Sequence, residues 1–507
     1  MDIGWVSWYS VLGITSAIVF LVLDLWRRRT YGRLPPGPLG WPIVGNLLQL
    51  GNNPNESLFH LATKYGPLMS VSLGMKTTVV VSSPAMAKEV LKTHDQLLAG
   101  RTVIQSVKPA SHDKYSFVWA QYGSHCRMLR RISNTELFNV KRLGTLQDLR
   151  RDQVLLTIQR ILQEGIEGKS INIEDAMVHF SVNLLGNMAF GKDMFDSHSP
   201  AFEEFKNSIS NMMTSLGAPN LADYFPFLQR LDPQGVGHNT KICMERVFRI
   251  LDKFMEDRLV KRGKTMDGND DAKDLLDVLL DMRSNEFTVI HIRSYLTDIF
   301  GAGIDTTAKT MEWAMAELIR NPEKMKRAQA ELDQVVGRNR RVEESDTESL
   351  PYLCAVVKEV FRLHPVGPLL LPHRAVTACE IGGYLIPKDT QVIVNVWAIG
   401  RDPSIWNEPS KFVPERFMDS KMSSVDFKGQ HFELLPFGSG RRMCVGLPLA
   451  NRIIHLVLAS LLHSFDWAPP KGMTAEHVDM TEKFGVVMQK AVPLETMPTP
   501  RLPPDLY

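Results

Sequence analysis

The sequence predicts a mainly α enzyme body with a minor β part, preceded by one N-terminal transmembrane helix. Three observations lead there. An uncharged apolar run opens the chain, a long middle repeats apolar residues every three to four positions, and short alternating segments flank that middle. The chain has 507 residues, 44% hydrophobic and 22% charged, enough for one large domain with a deep core. A formal net charge of +2 lacks the strongly basic balance of a nucleic-acid binder, so no nucleic-acid partner is expected.

From Ile3 to Leu23 no residue is charged. A helix of that length rises about 30 Å, the thickness of a bilayer core. Trp5, Trp8 and Tyr9 suit one interface, and Trp26 followed by Arg27, Arg28 and Arg29 marks the cytoplasmic side. The charges follow the apolar run, the reverse of a cleaved signal peptide. Residues 1–29 are therefore expected to anchor the chain in a single pass, with the rest cytosolic. Residues 30–40, carrying Pro35, Pro36 and Pro38, read as a stiff Pro-rich hinge, and residues 41–507 as one catalytic domain.

Alternation around Leu68–Leu73 and Thr77–Val81, with Gly74 between, predicts a hairpin. From about Pro84 to about Arg340 the pattern is helical. Within it, Leu221 to Leu228 is an apolar loop that suits a membrane contact or a core cap equally, and Lys261 to Lys273 is a solvated charged loop. Strand-like pieces return at Ile381 to Ile386 and Thr390 to Val396, followed by a Gly-rich loop, an apolar helix from about Leu447 and a Pro-rich tail, Pro498 to Pro504. No internal repeat is present, and no flexible linker divides the soluble region.

Cys126, Cys243, Cys354, Cys379 and Cys444 are odd in number and widely spaced, which suggests neither a disulfide framework nor a zinc knuckle. Cys243, Cys354 and Cys379 read as free thiols packed as small hydrophobes. Cys444 differs, because it lies in Phe437-Gly438-Ser439-Gly440-Arg441-Arg442-Met443-Cys444-Val445-Gly446, just before an apolar helix. Glycines let such a loop turn tightly against a flat ligand, and backbone N–H groups can share the charge of a thiolate. Arg442 and the helix start are expected to favour the thiolate, making Cys444 a metal ligand.

At this loop the chain resembles the cytochrome P450 superfamily, whose haem-ligand signature is met by Phe437, Gly440, Arg442, Cys444 and Gly446. The resemblance implies a P450 fold and haem b with Cys444 as axial ligand to iron, a thiolate that favours O–O cleavage. It implies that Arg442 meets a haem propionate. Glu359 and Arg362, three apart on one helix face, together with Arg416 of Pro414-Glu415-Arg416-Phe417, match the family's structural triad. By themselves the first two would read as a surface ion pair. Ala302-Gly303-Ile304-Asp305-Thr306-Thr307 lies in a helical run from about His291 to Arg320, where Gly303 costs roughly 1 kcal/mol against Ala and so suggests close approach of a ligand. Thr306 is expected to bond back to the carbonyl of Ala302, opening the helix locally. By the resemblance, Asp305 and Thr306 deliver the protons that let one oxygen of O2 leave as water.

Two positions depart from the family pattern. Cys126 stands where the family carries Trp in Cys126-Arg127-Met128-Leu129-Arg130, leaving Arg130 as a propionate partner with the indole N–H lost. Val445 stands where plant members often carry Pro. In Leu371-Pro372-His373-Arg374, the resemblance assigns Arg374 to a propionate, and His373 reads as structural. Arg127, Arg131, Lys141 and Arg142 suit a face on which an acidic flavoprotein docks, or equally a solvated helix face.

Asn220 to Pro226, Asp232 to Gly235 and Glu482 to Gly485 look like plant terpenoid hydroxylases of the geraniol-hydroxylase and ferruginol-synthase group. The expected activity is a haem-thiolate monooxygenase that oxidises a lipophilic terpenoid with O2. Its electrons come from NADPH through NADPH-cytochrome P450 reductase at the endoplasmic reticulum membrane, because the chain has no nicotinamide or flavin fingerprint of its own. A benzylisoquinoline-alkaloid oxidase or coupling enzyme is the alternative. A reductase-independent haem-thiolate isomerase, or a non-enzymatic haem-binding protein, fits less well with Asp305 and Thr306 in place. Substrate contacts are expected from Ile104 to Phe117, Met212, Met213, Phe300 to Ala302, Leu369 to Leu371 and Phe484 to Val487.

Overall fold

The structure is a computed structural model and describes Thr15 and residues 34–195, 199–264, 273–284 and 287–507. The expected anchor, Thr15 aside, lies outside the described residues, as does most of the Lys261 to Lys273 loop. Among the described residues one helix, Leu447–Ser464, is long and apolar enough to cross a membrane, but 72% of it is buried inside the protein.

The main helices are α1 (Pro54–Tyr65), α2 (Ser124–Ile132), α3 (Gln147–Ile166), α4 (Ile173–Phe190), α5 (Pro200–Gly217), α6 (Val236–Lys264), α7 (Val289–Arg320), α8 (Pro322–Val335), α9 (Pro351–Leu363) and α10 (Leu447–Ser464). Proline opens α1, α5, α8 and α9, where its missing N–H costs nothing. Ser199 caps α5 and Asn172 caps α4 with side-chain oxygens. Helices α4, α7 and α10 are apolar around most of their circumference, which forces them into the interior. Helix α7 is the axis of the fold. It is buried along most of its length, and α4, α9 and α10 pack against it.

The strands are β1 (Leu68–Leu73), β2 (Lys76–Val81), β3 (Gly100–Arg101), β4 (Ile171–Asn172), β5 (His373–Arg374), β6 (Cys379–Ile381), β7 (Tyr384–Ile386), β8 (Gln391–Val394), β9 (Phe465–Ala468), β10 (Glu482–Lys483), β11 (Gln489–Lys490) and β12 (Glu495–Pro500). One sheet runs β1-β2-β8-β5-β3, with β2 and β8 parallel and its other pairs antiparallel. The β1–β2 hairpin lies where alternation put it, turning at Gly74. Ile381 to Ile386 is a correction. It is two strands, β6 and β7, joined at Gly382 and Gly383, whose φ of 56° and 80° make a two-residue turn.

The Pro-rich tail also begins inside a strand. Pro498 and Pro500 of β12 pair only with β9, while β4 pairs further up at Glu495 and Thr496, so the prolines sit on an open edge. The described part of the hinge is docked, not free. Ser70 donates from its N–H to Pro36 O at 2.8 Å and from its hydroxyl to Pro35 O at 2.7 Å. Cys243 and Cys379 are buried and Cys354 half-buried, all as free thiols.

Candidate active site

A cavity of about 330 Å³ lies between α7 and the cysteine loop. Ala302, Gly303, Thr306 and Thr307 line it from α7, and residues 436–439 and 442–446 line it from the other side. Tight local geometry holds that loop. Gly440 has φ 69°, and a Cβ there would stand 1.9 Å from Leu91 O, so only glycine fits. The Cys444 N–H donates to Phe437 O at 3.0 Å. Phe437 packs edge-on against Phe361 at 5.3 Å between ring centres, tying the loop to α9.

Cys444 is open to the cavity but shielded from bulk water. Burial pushes its thiol up, opposed by the N–H groups of Gly446 and Leu447 and by the charge of Arg130. This corrects the expectation that Arg442 favours the thiolate. The Arg442 guanidinium is spent elsewhere, donating to Ala99 O at 2.8 Å, Ala120 O at 2.7 Å, Phe117 O at 3.3 Å and Cys126 Sγ at 3.3 Å. Cys126 is fully buried and does not line the cavity, so where the family carries an indole this chain packs a thiol under Arg442.

Arg101, Arg130, His373 and Arg442 converge on one end of the cavity. Among the described residues, none of the three arginines has an ion pair with a carboxylate. Arg101 donates to Val118 O and Leu371 O, and Arg130 to Met443 O. Burial and repulsion from Arg442 and Arg130 pull Arg101 down to about 9, burial and repulsion from Arg130 lower Arg442, burial lowers Arg130, and burial beside Arg101 and Arg442 drives His373 to about 3. A buried cationic cluster without counter-ions is costly unless anions join it.

Arg374 does not reach this cluster. Neighbours on a strand face opposite ways, so His373 of β5 lines the cavity while Arg374 pairs with Asp389 and donates to Gln121 at 2.8 Å. Of the two neighbours it is thus His373, and not Arg374 as expected, that lies on the cavity wall. Arg101 was not marked by any sequence motif, and it joins the site only through the β3–β5 pairing.

On α7, the Thr306 hydroxyl donates to Ala302 O at 2.6 Å. The helix stays continuous through this bond and does not open as expected. Asp305 sits beside it but off the cavity wall, with Lys309 and Glu174 as its charged neighbours. Burial raises the Asp305 carboxyl to about 6, against the pull of Lys309. Its protonated form therefore prevails below that value and is lost as pH rises through it. If this carboxyl donates protons toward Thr306, turnover falls across the same window. Asp305→Asn is then expected to flatten the profile and cut turnover by roughly a hundredfold, measured between about pH 5.5 and 8. An unchanged profile in the variant would remove Asp305 from the relay.

Glu359 and Arg362 are not a surface pair. Both are fully buried, with Arg362 forked onto Glu359 at 2.7 and 2.8 Å and donating further to Gly400 O, Pro409 O and Lys411 O. Arg416 reaches Glu359 at 3.0 Å, and the Val413 N–H does so at 2.7 Å. The three side chains clamp α9 to the segment that leads into the cysteine loop.

The distal wall is apolar, with Met212, Met213, Gly301, Leu370, Leu371 and Val487 among its members. Phe300 is not part of it. Its ring stacks on Phe190 at 5.9 Å and meets Phe205 edge-on at 5.6 Å. Ile104, Leu369 and Phe484 also lie off the wall. Asp298 and His112 are on it, the first absent from the expected contacts and the second inside the expected loop.

A cysteine at the foot of a deep cavity, a cationic cluster suited to two carboxylates and a threonine-bearing helix opposite define a haem-thiolate class of enzyme. A family profile for cytochrome P450 matches residues 35–494, and the chain belongs to that family. It is 43% identical over 499 residues to cytochrome P450 76T24 of Catharanthus roseus, covering 98% of this chain and 97% of the relative. It is 42% identical over 494 residues to geraniol 8-hydroxylase of Swertia mussotii (96% and 99% covered), and 43% identical over 489 residues to ferruginol synthase of Salvia miltiorrhiza (96% and 97%). The chain is thus a P450 monooxygenase related to terpenoid hydroxylases, and its family implies haem iron, O2, a lipophilic substrate and a redox partner.

The residues present fit haem. Cys444 would offer its sulfur to the iron, Arg101, Arg130, Arg442 and His373 would line the end where two propionates fit, and Gly440 lets the loop close against Leu91. When bound, a haem-thiolate supplies the activation of O2. The protein contributes cation placement, exclusion of water by the apolar wall and a hydroxyl held at Ala302.

Proposed function

We propose that the chain is an endoplasmic-reticulum monooxygenase that oxidises a terpenoid, drawing electrons from NADPH through NADPH-cytochrome P450 reductase. In this reading Cys444 ligates the iron, Arg130, Arg442, Arg101 and His373 hold the propionates, and Asp305 with Thr306 delivers protons. Residues 1–29 serve as anchor, 30–40 as hinge and 41–507 as the catalytic domain. The observation that carries the substrate class is the apolar distal wall, which suits a lipophilic molecule with few polar anchors.

An alkaloid ammonium is a poorer fit. Asp298 carries the carboxylate among the lining residues, and it is already filled by Ser116, the Phe117 N–H and His112. Incubation with monoterpenols, abietane diterpenes and benzylisoquinolines, with reductase and NADPH supplied, tests the reading. Oxidised terpenoids are the expected products, and turnover confined to benzylisoquinolines would overturn it.

Membrane contact is supported by exposed apolar side chains near the docked hinge, including Trp41, Ile43, Met75, Leu221, Phe227 and Leu231. Met75 donates to Tyr224 O at 3.0 Å, which brings the Leu221 to Leu228 loop beside the hairpin. Each large apolar side chain buried contributes about 1.5–3 kcal/mol. A double Phe227→Asp, Leu231→Asp variant of the chain without residues 1–29 is expected to bind lipid vesicles at least roughly tenfold more weakly in a sedimentation assay.

A further inference from the structure

Polar groups on the distal wall are mostly spent within the protein. Thr306 is bonded to Ala302 O and Thr297 to Arg293 O, and Asp298 accepts from the Ser116 hydroxyl at 2.9 and 2.7 Å and from the Phe117 N–H at 2.9 Å. His112 is the exception that matters. It opens a short helix, His112–Tyr115, in the loop expected to contact substrate, and its ring is buried in the cavity wall. Its Nε2 lies 2.8 Å from Asp298 Oδ1, while its Nδ1 has no partner.

The tautomer follows from the network. A carboxylate that already accepts from Ser116 and Phe117 takes a further hydrogen from Nε2, which leaves the Nδ1 lone pair as an unmet acceptor. A buried acceptor left unmet destabilises the protein, and an imidazole pinned at Nε2 cannot rotate to satisfy it. The hydroxyl of Ser181, the other fully buried side-chain polar atom without a partner on a wall residue among the described residues, is less constrained, because a serine in a helix can turn to a carbonyl one turn back.

We infer that His112 is a specificity-determining residue whose Nδ1 accepts a hydrogen bond from a hydroxyl of the substrate, so that the cavity selects a terpenoid alcohol over the hydrocarbon of the same skeleton. The inference rests on the terpenoid reading above. Nδ1 has almost no open surface, so a substrate hydroxyl meets it only where binding displaces the loop that carries His112. Asp298 acts through His112, as a positioning residue that fixes the proton on Nε2.

The test is ligand affinity of the haem-loaded full chain in membranes, read from the ligand-induced shift of the haem absorption band. The probes are geraniol and 2,6-dimethylocta-2,6-diene, which differ by one hydroxyl. The wild type is expected to bind the alcohol roughly tenfold more tightly. His112→Gln, whose amide N–H replaces Nε2 toward Asp298 while removing Nδ1, is expected to bring the ratio to about one. Equal binding in the wild type, an unchanged ratio in His112→Gln, or a ratio lost only in Ser181→Ala would each overturn the inference. If neither probe binds while haem is intact, the inference is overturned, whereas the terpenoid reading stands or falls with the product assay above.

Discussion

Replacing Cys444 with alanine is expected to abolish the red-shifted Soret band of the reduced, carbon-monoxide-bound protein and all monooxygenation with it. Cys444 is the cysteine that lines the cavity, and the loop around it is built for sulfur. Gly440 permits the approach to Leu91, Phe437 braces the turn, and the N–H groups of Gly446 and Leu447 face the thiol. Cys444→Ser keeps size and those donors but not a soft, ionisable sulfur, so it separates ligation from packing. Both variants should remain helical by circular dichroism. A red-shifted band surviving in either would remove Cys444 as ligand and with it the basis for the proposed activity.

Arg362→Ala should be nearly as damaging, through folding instead of chemistry. The substitution strips two hydrogen bonds from a fully buried Glu359, leaves the carbonyls of Gly400 and Pro409 without their guanidinium donor, and leaves that of Lys411 with only the 3.4 Å bond from Arg416. Breaking a buried pair from one side costs about 3–5 kcal/mol, a large part of the roughly 5–15 kcal/mol that keeps a domain folded. Little haem-loaded protein is expected to accumulate, and its thermal midpoint should fall by several degrees. Arg362→Lys is expected to lie between, because an ammonium cannot span Glu359 and three carbonyls in a plane. A midpoint equal to the wild type in Arg362→Ala would show that the clamp is dispensable.

What the sequence revealed followed how local each signal is. The cysteine loop spans ten consecutive residues, so its glycines and cysteine were visible together, and the periodicity of α7 and α10 announced buried helices. Glu359 and Arg362 share a helix face by spacing alone, but their burial depends on Arg416 and the carbonyls around it, which arrive from 38 to 57 positions away. Arg101 carried no mark in the sequence, because only the pairing of β3 with β5 delivers it to the cavity. His373 and Arg374 illustrate a different limit. A strand two residues long gives alternation nothing to work on, so the choice between adjacent residues is made by register against β8. Phe300 was misplaced for a similar reason, since a helix that is apolar on every side does not say which side faces the ligand.

The uncompensated cations at the far end of the cavity have a consequence for how the protein comes to exist. With Arg101, Arg130 and Arg442 buried and facing no carboxylate among the described residues, the chain alone bears a burial cost and repulsion that two propionates would relieve. Haem then acts as a folding ligand, and its binding free energy becomes part of the stability of the chain through mass action. Cellular abundance of the protein should accordingly track the supply of haem during synthesis, with chains that miss it passing to proteolysis.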